Sequence, residues 1–333
     1  MSKKSKRKNN LKESIILLLL LILLLVSSTY AWFTANQTVT ISTIDVNIAA
    51  SNGLQISTDA DTWKAIISNE DITTNAYEGH ANSLPTSMVP VSTIGAIDTA
   101  TGYMNMYKGV VTADATTGDY ELTATQSAEG SGEFIAFDIF LKVDEDTTLK
   151  LTTASSVEMQ KDSTDKGIKQ AARVAFVTQG HAGPGSAASA ITGKIAGEDS
   201  PVYIWEPNSN LHTEAAVTHA DQTYGITTTS DGKANAIAYY GIKQPITDGI
   251  VLANTAGTDT TNFSLVQPTY VTKADLTTGK LDEEKQIFTL TAGITKMRVY
   301  MWIEGQDVDC ENTASGTDIS YNLQFTVVPK QTP

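Results

Sequence analysis

The chain has 333 residues and a formal net charge of −14, a length that allows one large domain or two of medium size. A strongly acidic surface repels nucleic acid and anionic membranes, so the composition argues against a protein that binds either. The single cysteine, Cys310, excludes an internal disulfide framework. Stability must therefore come from the size of the core or from assembly.

The chain begins with a segment typical of a signal peptide. Residues 1–12 form a basic region, and Ile15–Val26 is an unbroken run of Ile, Leu and Val. A signal peptide needs about 7–15 apolar residues in this region, whereas a membrane-spanning helix needs about 20. Small residues follow the run, and Thr29 and Ala31 suit the two pockets of a signal peptidase. The pattern predicts export through the Sec translocon and cleavage between Ala31 and Trp32.

Cleavage would remove residues 1–31 and leave 17 basic and 36 acidic residues, a net charge of −19. The alternative is an uncleaved anchor that reaches to about Phe33, with Tyr30 and Trp32 at the membrane interface. In either case the bulk of the protein is expected outside the cytoplasm of a bacterium, secreted or in a cell-surface matrix. If the leader is cleaved, no second apolar run of spanning length remains, and no stable membrane span is expected.

Segments rich in β-branched residues dominate the rest of the chain. The sequences FIAFDIFLKV (134–143) and ISYNLQFTVV (319–328) place apolar residues at every second position, which is typical of strands. Many short strands with few helices predict an all-β fold, an antiparallel jelly-roll-like β-sandwich with a few short helices. The predicted strands are residues 39–48, 134–143, 148–152, 172–178, 202–205, 236–242, 287–290, 297–303 and 319–328.

Residues 44–333 are predicted to form a single domain that contains two insertions. Residues 67–102 are polar with scattered prolines, and residues 179–200 are rich in Gly, Ala and Ser. The chain shows no internal repeat of fixed period. One sandwich with long loops is therefore expected rather than two domains.

The first predicted strand changes its phase of alternation halfway along. Val39 and Ile41 alternate in one phase, and the apolar residues between Ile44 and Ile48 alternate in the other. A β-bulge within one continuous strand would explain the change. The alternative is that residues 32–43 form an arm that is separate from the strand that follows.

The stretch TYAWFTANQTVTISTIDVNI, residues 29–48, resembles the signal-peptide junction of the TasA/camelysin family, whose members are processed by a SipW-type signal peptidase. The family pattern is Thr, an aromatic residue, Ala and a second aromatic residue, followed by a small residue, Leu or Ile, Asp and an aliphatic residue. Ser42-Thr43 stands where the family usually has a Gly before the Leu/Ile-Asp pair. The matching residues are Thr29, Tyr30, Ala31 and Phe33, then Thr43, Ile44, Asp45 and Val46.

This resemblance implies a jelly-roll subunit of extracellular fibres of the biofilm-matrix type. In such fibres the N-terminal segment of one subunit completes the sheet of the next, so residues 32–43 would be a donor arm and the protein would self-associate into filaments. The alternative is a monomeric secreted or surface-associated adhesin that binds through residues 67–102 and 179–200. The arm residues expected to be buried are Trp32, Phe33, Val39 and Ile41.

No catalytic pattern is present in the sequence, although camelysin-type relatives carry a protease label. There is no HExxH, G-x-S-x-G or P-loop motif. His212 and His219 would lie about 10.5 Å apart along a helix, too far for two ligands of one zinc ion. The other two histidines are His80 and His181. We expect His212 and His219 to be surface residues without a function, and we expect no enzyme activity. A protease with an unrecognised site is the remaining alternative.

The acidic segment DVDCENTASGTD partly resembles a calcium-binding loop. Asp307, Asp309 and Glu311 alternate as at the first three ligand positions of such a loop, and Asp318 falls at the last. However, Asn312 stands where the loop needs a Gly, and no flanking helices are predicted. The segment is therefore a weak calcium candidate, with a solvated acidic turn as the alternative. No other cofactor is expected.

Overall fold

The computed structural model describes residues 39–49, 53–113, 120–160, 164–208, 211–216, 218, 239–241, 250–253, 264–266, 274–278, 280–305, 307, 309–310 and 316–329. Strands make up most of this part of the chain, which confirms the prediction of an all-β fold with a few short helices. Among these residues, no helix combines the length and the apolar character needed to cross a membrane.

The strands in chain order are β1 (Val39–Ile48), β2 (Gln55–Ser57), β3 (Ile66–Ile67), β4 (Ser87–Met88), β5 (Ser92–Asp98), β6 (Tyr103–Ala113), β7 (Tyr120–Ser127), β8 (Ile135–Val143), β9 (Thr147–Leu151), β10 (Ser156–Met159), β11 (Ala172–Ala182), β12 (Val202–Glu206), β13 (Tyr239–Gly241), β14 (Ile250–Ala253), β15 (Ser264–Val266), β16 (Ala274–Thr278), β17 (Lys285–Leu290), β18 (Gly293–Ile303) and β19 (Asp318–Pro329). Short helices lie between them, among them α1 (Asn69–Thr74) and α2 (Ser189–Thr192), and residues 214–216 and 218 are also helical.

Two sheets carry the main core. The seven-stranded sheet has the order β17–β9–β19–β1–β3, with β10 beside β19 and β4 beside β1. The six-stranded sheet has the order β16–β12–β11–β18–β8–β2. Two smaller sheets have the orders β14–β7–β6–β5 and β13–β15. Most pairs are antiparallel as predicted, but β1 pairs with β19 and β12 pairs with β16 in parallel, which corrects the purely antiparallel expectation. The jelly-roll connectivity stays a prediction.

The six-stranded sheet is covered on both faces, and this explains the composition of its central strand. Every residue of β18 is buried. Met297, Val299 and Met301 belong to the main core, which they share with β19 of the other sheet. On the opposite face, Tyr300 and Trp302 pack in a second cluster with residues of β6. A strand that is buried on both faces has no reason to alternate between apolar and polar residues.

The two predicted insertions contribute to the core, so the expectation that they lie outside it is wrong. Ile72 and Met88, both within residues 67–102, are fully buried in the main core. Within residues 179–200, β11 continues to Ala182, and the fully buried Ile191 packs in a smaller apolar cluster. These segments cover the sheets instead of projecting from them.

Candidate functional site

Strand β1 lies inside the seven-stranded sheet, between β19 on one edge and β3 and β4 on the other, with its apolar face buried. We call this position the seat of β1. Val39, Ile44 and Val46 are at most 2% exposed and belong to the main core. One edge of β1 pairs with β19 from Thr40 to Ile48, whereas the strands that pair with its other edge in the described part of the chain are the two-residue strands β3 and β4. The backbone N–H of Ile44 donates to the side-chain oxygen of Asn69 at 3.0 Å. One long neighbouring strand and an apolar face therefore hold β1 in place.

The change of phase predicted from the sequence is a bulge in one continuous strand. The register between β1 and β19 shifts between Ile41 and Thr43. This shift allows Val39 and Ile44 to point into the same core although their sequence separation is odd. The first alternative is therefore correct, and residues 39–43 are part of the subunit's own strand. The predicted arm, residues 32–43, is not separate from that strand over this stretch.

Most of the residues predicted at the N-terminus lie outside the described part of the chain. These are the cleavage-site residues Thr29, Ala31 and Trp32 and the arm residue Phe33. The side chain of Ile41 also lies outside it. Val39 is thus the one predicted arm residue whose burial is known, and its side chain is buried within its own subunit.

The acidic segment near the C-terminus is folded inward. Asp307 and Asp309 are 2% and 1% exposed, so a solvated acidic turn is the wrong interpretation for these two residues. The backbone N–H of Asp309 donates to Oδ1 of Asp307 at 3.0 Å. Asp318 begins β19 opposite Thr40 and is not grouped with these two carboxylates, and Glu311 lies outside the described residues. The described residues therefore do not assemble the predicted calcium loop.

His212 is the partner of Asp309, contrary to the expectation that it lies on the surface. Its side chain is buried, and Nδ1 lies 2.5 Å from Oδ2 of Asp309. The other carboxylate oxygen, Oδ1, accepts hydrogen bonds from the backbone N–H of Thr213 at 3.0 Å and from its hydroxyl at 3.2 Å. Asp309 therefore holds His212 and Thr213, in the chain that follows β12, in place.

Arg173 on β11 joins Asp307 to β12. Its Nη2 lies 2.6 Å from Oδ2 of Asp307, and its Nε lies 2.9 Å from Oε1 of Glu206. Its Nη1 donates to the carbonyl oxygens of Gln170 at 2.7 Å and Ala172 at 3.1 Å. We refer to the connected, buried group as the carboxylate cluster; its members are Arg173, Glu206, His212, Asp307 and Asp309.

The carboxylate cluster holds three acidic side chains against one permanent cation, and the pKa values of Asp309 and His212 are both raised. Burial raises the pKa of Asp309 to about 6, and the charge of Asp307 adds to this effect while His212 opposes it. Burial also disfavours the imidazolium of His212, but its hydrogen bond to Asp309 and the charge of Asp309 outweigh burial and raise the pKa of His212. The pair therefore retains a proton more strongly than the separate side chains would.

Three members of the cluster have the geometry to hold a metal ion. His212, Asp307 and Asp309 each offer a ligand atom, and these atoms lie within 4.8 Å of one another. Calcium takes six to eight oxygen ligands, whereas a histidine nitrogen suits zinc and other transition metals. Arg173 and His212 already engage both carboxylates. We therefore interpret the cluster as an internal ion network that is complete without a metal.

Arg173, Glu206 and His212 were not predicted from the sequence as members of a site. The available signal was a charge next to an apolar strand, as in ARVAFV at 172–177 and VYIWE at 202–206. A charge in such a position needs a buried partner, but the sequence does not show which one. His212 gave no signal, because its partner lies 97 residues further along the chain.

The fold defines the class as an all-β protein. No family model, no curated protein and no solved structure matches the chain. The likeness of the leader to the TasA/camelysin family therefore stays a prediction, as does the absence of enzyme activity.

Proposed function

We propose that this protein is a secreted, non-enzymatic structural subunit of extracellular fibres of the biofilm-matrix type, and that it assembles by exchanging strand β1 between copies. The observation that carries the proposal is the seat of β1. The first described strand of the chain fills a groove beside β19 with its apolar face, and it has little support on its other edge. A chemically identical strand from a second copy would fit the same groove.

The seat supplies both the affinity and the register that strand addition needs. Burial of Val39, Ile44 and Val46 contributes about 5–9 kcal/mol before ordering costs. Eight residue pairs with β19 supply the backbone ladder, and the bulge between Ile41 and Thr43 defines one register. An exchanged strand would keep all of these contacts. Exchange therefore costs little at the seat itself.

The connection between β1 and β2 is short, which limits where an exchanged β1 could go. Only residues 49–54 separate β1 in the seven-stranded sheet from β2, which pairs with β8 at the edge of the other sheet. Six residues span at most about 20 Å when extended, so β1 could reach a neighbouring copy only at close range. Short hinge loops favour exchange of a terminal element between copies.

The mode of growth follows from the geometry of the contact. β1 of one copy would enter the groove of the next copy, so the donating and accepting surfaces differ. Such head-to-tail contacts extend as an open filament unless the rotation between copies closes a ring. Because the seat is the same within and between copies, protein concentration and hinge strain would decide between monomer and filament.

A reversible disulfide between β1 and β19 tests this proposal. Asp45 and Asn322 are register partners, and Asp45 is exposed, so Asp45→Cys with Asn322→Cys can lock β1 into its own subunit. The native thiol, Cys310, is fully buried and should not compete. We expect the exported product of the full-length chain to form filaments in negative-stain electron microscopy. The locked, oxidised variant should remain monomeric, and reduction should restore filaments.

The matched control is the Asp45→Ser, Asn322→Ser variant, which should form filaments under oxidising and reducing conditions alike. A non-reducing gel shows whether the disulfide lies within one chain. Filaments built from chains with an intramolecular disulfide would refute strand exchange. If the native protein stays monomeric at every concentration, the adhesin alternative replaces the fibre proposal.

A further inference from the structure

A cleft separate from the seat of β1 opens beside the sheet of β5, β6 and β7. Its volume is about 260 Å³. One wall is the turn between β5 and β6, and the other is the segment that leads from the end of β7 to Phe134. The cleft is slightly smaller than the range of about 300–1,000 Å³ that is usual for ligand sites. A single small ring fits this size better than a chain does.

The charged side chains that line the cleft are both acidic. Glu129 is exposed at its rim, and Asp98 is half-buried in the turn. The carboxylate of Asp98 accepts hydrogen bonds from the backbone N–H of Ala100 at 2.9 Å and from the hydroxyl of Thr101 at 3.2 Å, which fix its position. No lysine, arginine or histidine is among the described residues that line the cleft. The charge of the lining therefore favours a cation.

Neutral groups of the lining add hydrogen bonds and apolar surface. Gln126 donates to the side-chain oxygen of Asn105 at 2.8 Å, so the two amides orient each other, and each has a second polar atom suited to a hydroxyl group. Tyr103 and Phe134 are almost fully buried at the base of the cleft. The hydroxyl of Tyr103 donates to the carbonyl of Ala81, and its ring packs against the guanidinium of Arg298 at 4.2 Å, so Tyr103 is held in place.

We propose that this cleft binds a small hydroxylated ring that carries a protonated amine, that is, an amino sugar with a free amino group. The ammonium group pairs with Glu129 and Asp98, the amides of Asn105 and Gln126 bind ring hydroxyls, and the apolar base contacts the ring carbons. This inference does not depend on strand exchange, because the cleft and β1 share no residue.

Saturation-transfer difference NMR on the full-length chain tests the inference with three probes: glucosamine, glucose and N-acetylglucosamine. We expect glucosamine to bind more tightly than the two neutral sugars, because only glucosamine carries a charge that can pair with the carboxylates. Glu129→Gln should weaken glucosamine binding by up to about fivefold, the usual size of one exposed charge pair. Glu129 is exposed, so this change should leave the fold intact.

The matched control is Glu145→Gln, which removes the same charge at an exposed position between β8 and β9 and should leave binding unchanged. Equal binding of all three sugars, or no effect of Glu129→Gln, would overturn the proposal. Equal binding of an acetylated lysine amide with a free side-chain amine would also overturn it, because the cleft would then recognise the amine without the sugar ring.

Discussion

Two buried ion networks lie at different places along the six-stranded sheet, one around Asp138 on β8 and one around Arg173 on β11, and they differ in charge balance. Beneath α2 and the segment before β4, Asp138 pairs with Arg298 and Lys296; we call these three residues the Asp138 network. Arg298 binds Asp138 through two nitrogens, at 2.7 and 3.0 Å. This network has one carboxylate and two cations, whereas the carboxylate cluster has three carboxylates and one permanent cation.

The difference shows how the surroundings of a carboxylate set its protonation. Burial alone would raise the pKa of Asp138, but hydrogen bonds and charge from Arg298 outweigh burial and lower it. Asp309 is buried to a similar degree, but its nearest partner is a histidine and its neighbour is another carboxylate, so its pKa is raised. The carboxylate of Asp138 should therefore stay charged over the usual pH range, whereas Asp309 and His212 of the carboxylate cluster should titrate.

The largest expected effect comes from removing the main cation of the Asp138 network. Arg298→Met leaves Asp138 buried with Lys296, which lies 3.4 Å away and also binds two backbone carbonyls. Breaking a buried ion pair typically costs about 3–5 kcal/mol. We expect a loss of this size in the free energy of unfolding, measured by urea denaturation. Lys166→Met, at an exposed position, is the control and should change stability little. A loss below about 1 kcal/mol would show that Lys296 alone can compensate Asp138.

The main core was predictable because its strands follow local rules. The bounds of β1 were predicted without error, and those of β8, β9 and β19 were predicted to within one residue at each end. β-Branched residues and alternation mark these segments in the sequence. Strands β5–β7 were missed, because they form on the outer face of the six-stranded sheet, where Met104 and Met106 pack against Tyr300 and Trp302. Such contacts are distant in sequence and leave no local pattern.

The candidate site was predictable only in part, for a similar reason. Asp307 and Asp309 were recognised as unusual, but they were assigned to partners within the same loop. Their actual partners, Arg173 and His212, lie 134 and 97 residues away. Spacing in the sequence identifies groups that meet within one turn or helix, whereas a buried charge selects its partner through the tertiary fold.

The second prediction concerns the pH response that separates the two networks. The pKa of Asp309 is about 6 in the folded chain, against 3.8 for an ordinary Asp, so the folded state holds an extra proton between these values. The pKa of His212 is raised above 6.5, so the folded state also holds its proton longer there. Stability must therefore fall as pH rises through both windows. We expect a loss of about 1–3 kcal/mol as pH rises from about 4 to about 6, and a further loss above pH 6.5 from His212.

A double variant isolates this contribution from the rest of the chain. His212→Gln with Asp309→Asn removes both titrating groups and keeps polar side chains at both positions, so its unfolding free energy should depend less on pH than that of the native protein. His80→Gln, at an exposed position, is the control and should leave the profile unchanged. Identical profiles for the native protein and the double variant would show that the cluster does not titrate in this range.

The smallest expected effect is that of calcium, because the carboxylate cluster has few free carboxylate oxygens for it. Two carboxylates that already accept from Arg173 and His212 fall short of the six to eight oxygen ligands that calcium takes. We expect no heat of binding in calorimetry and no change in melting temperature when calcium is added. A rise in melting temperature that Asp309→Asn abolishes and Asp318→Asn preserves would show that the cluster opens for the ion, because only Asp309 of these two residues belongs to it. Such a result would replace the interpretation of a complete ion network with that of a metal site.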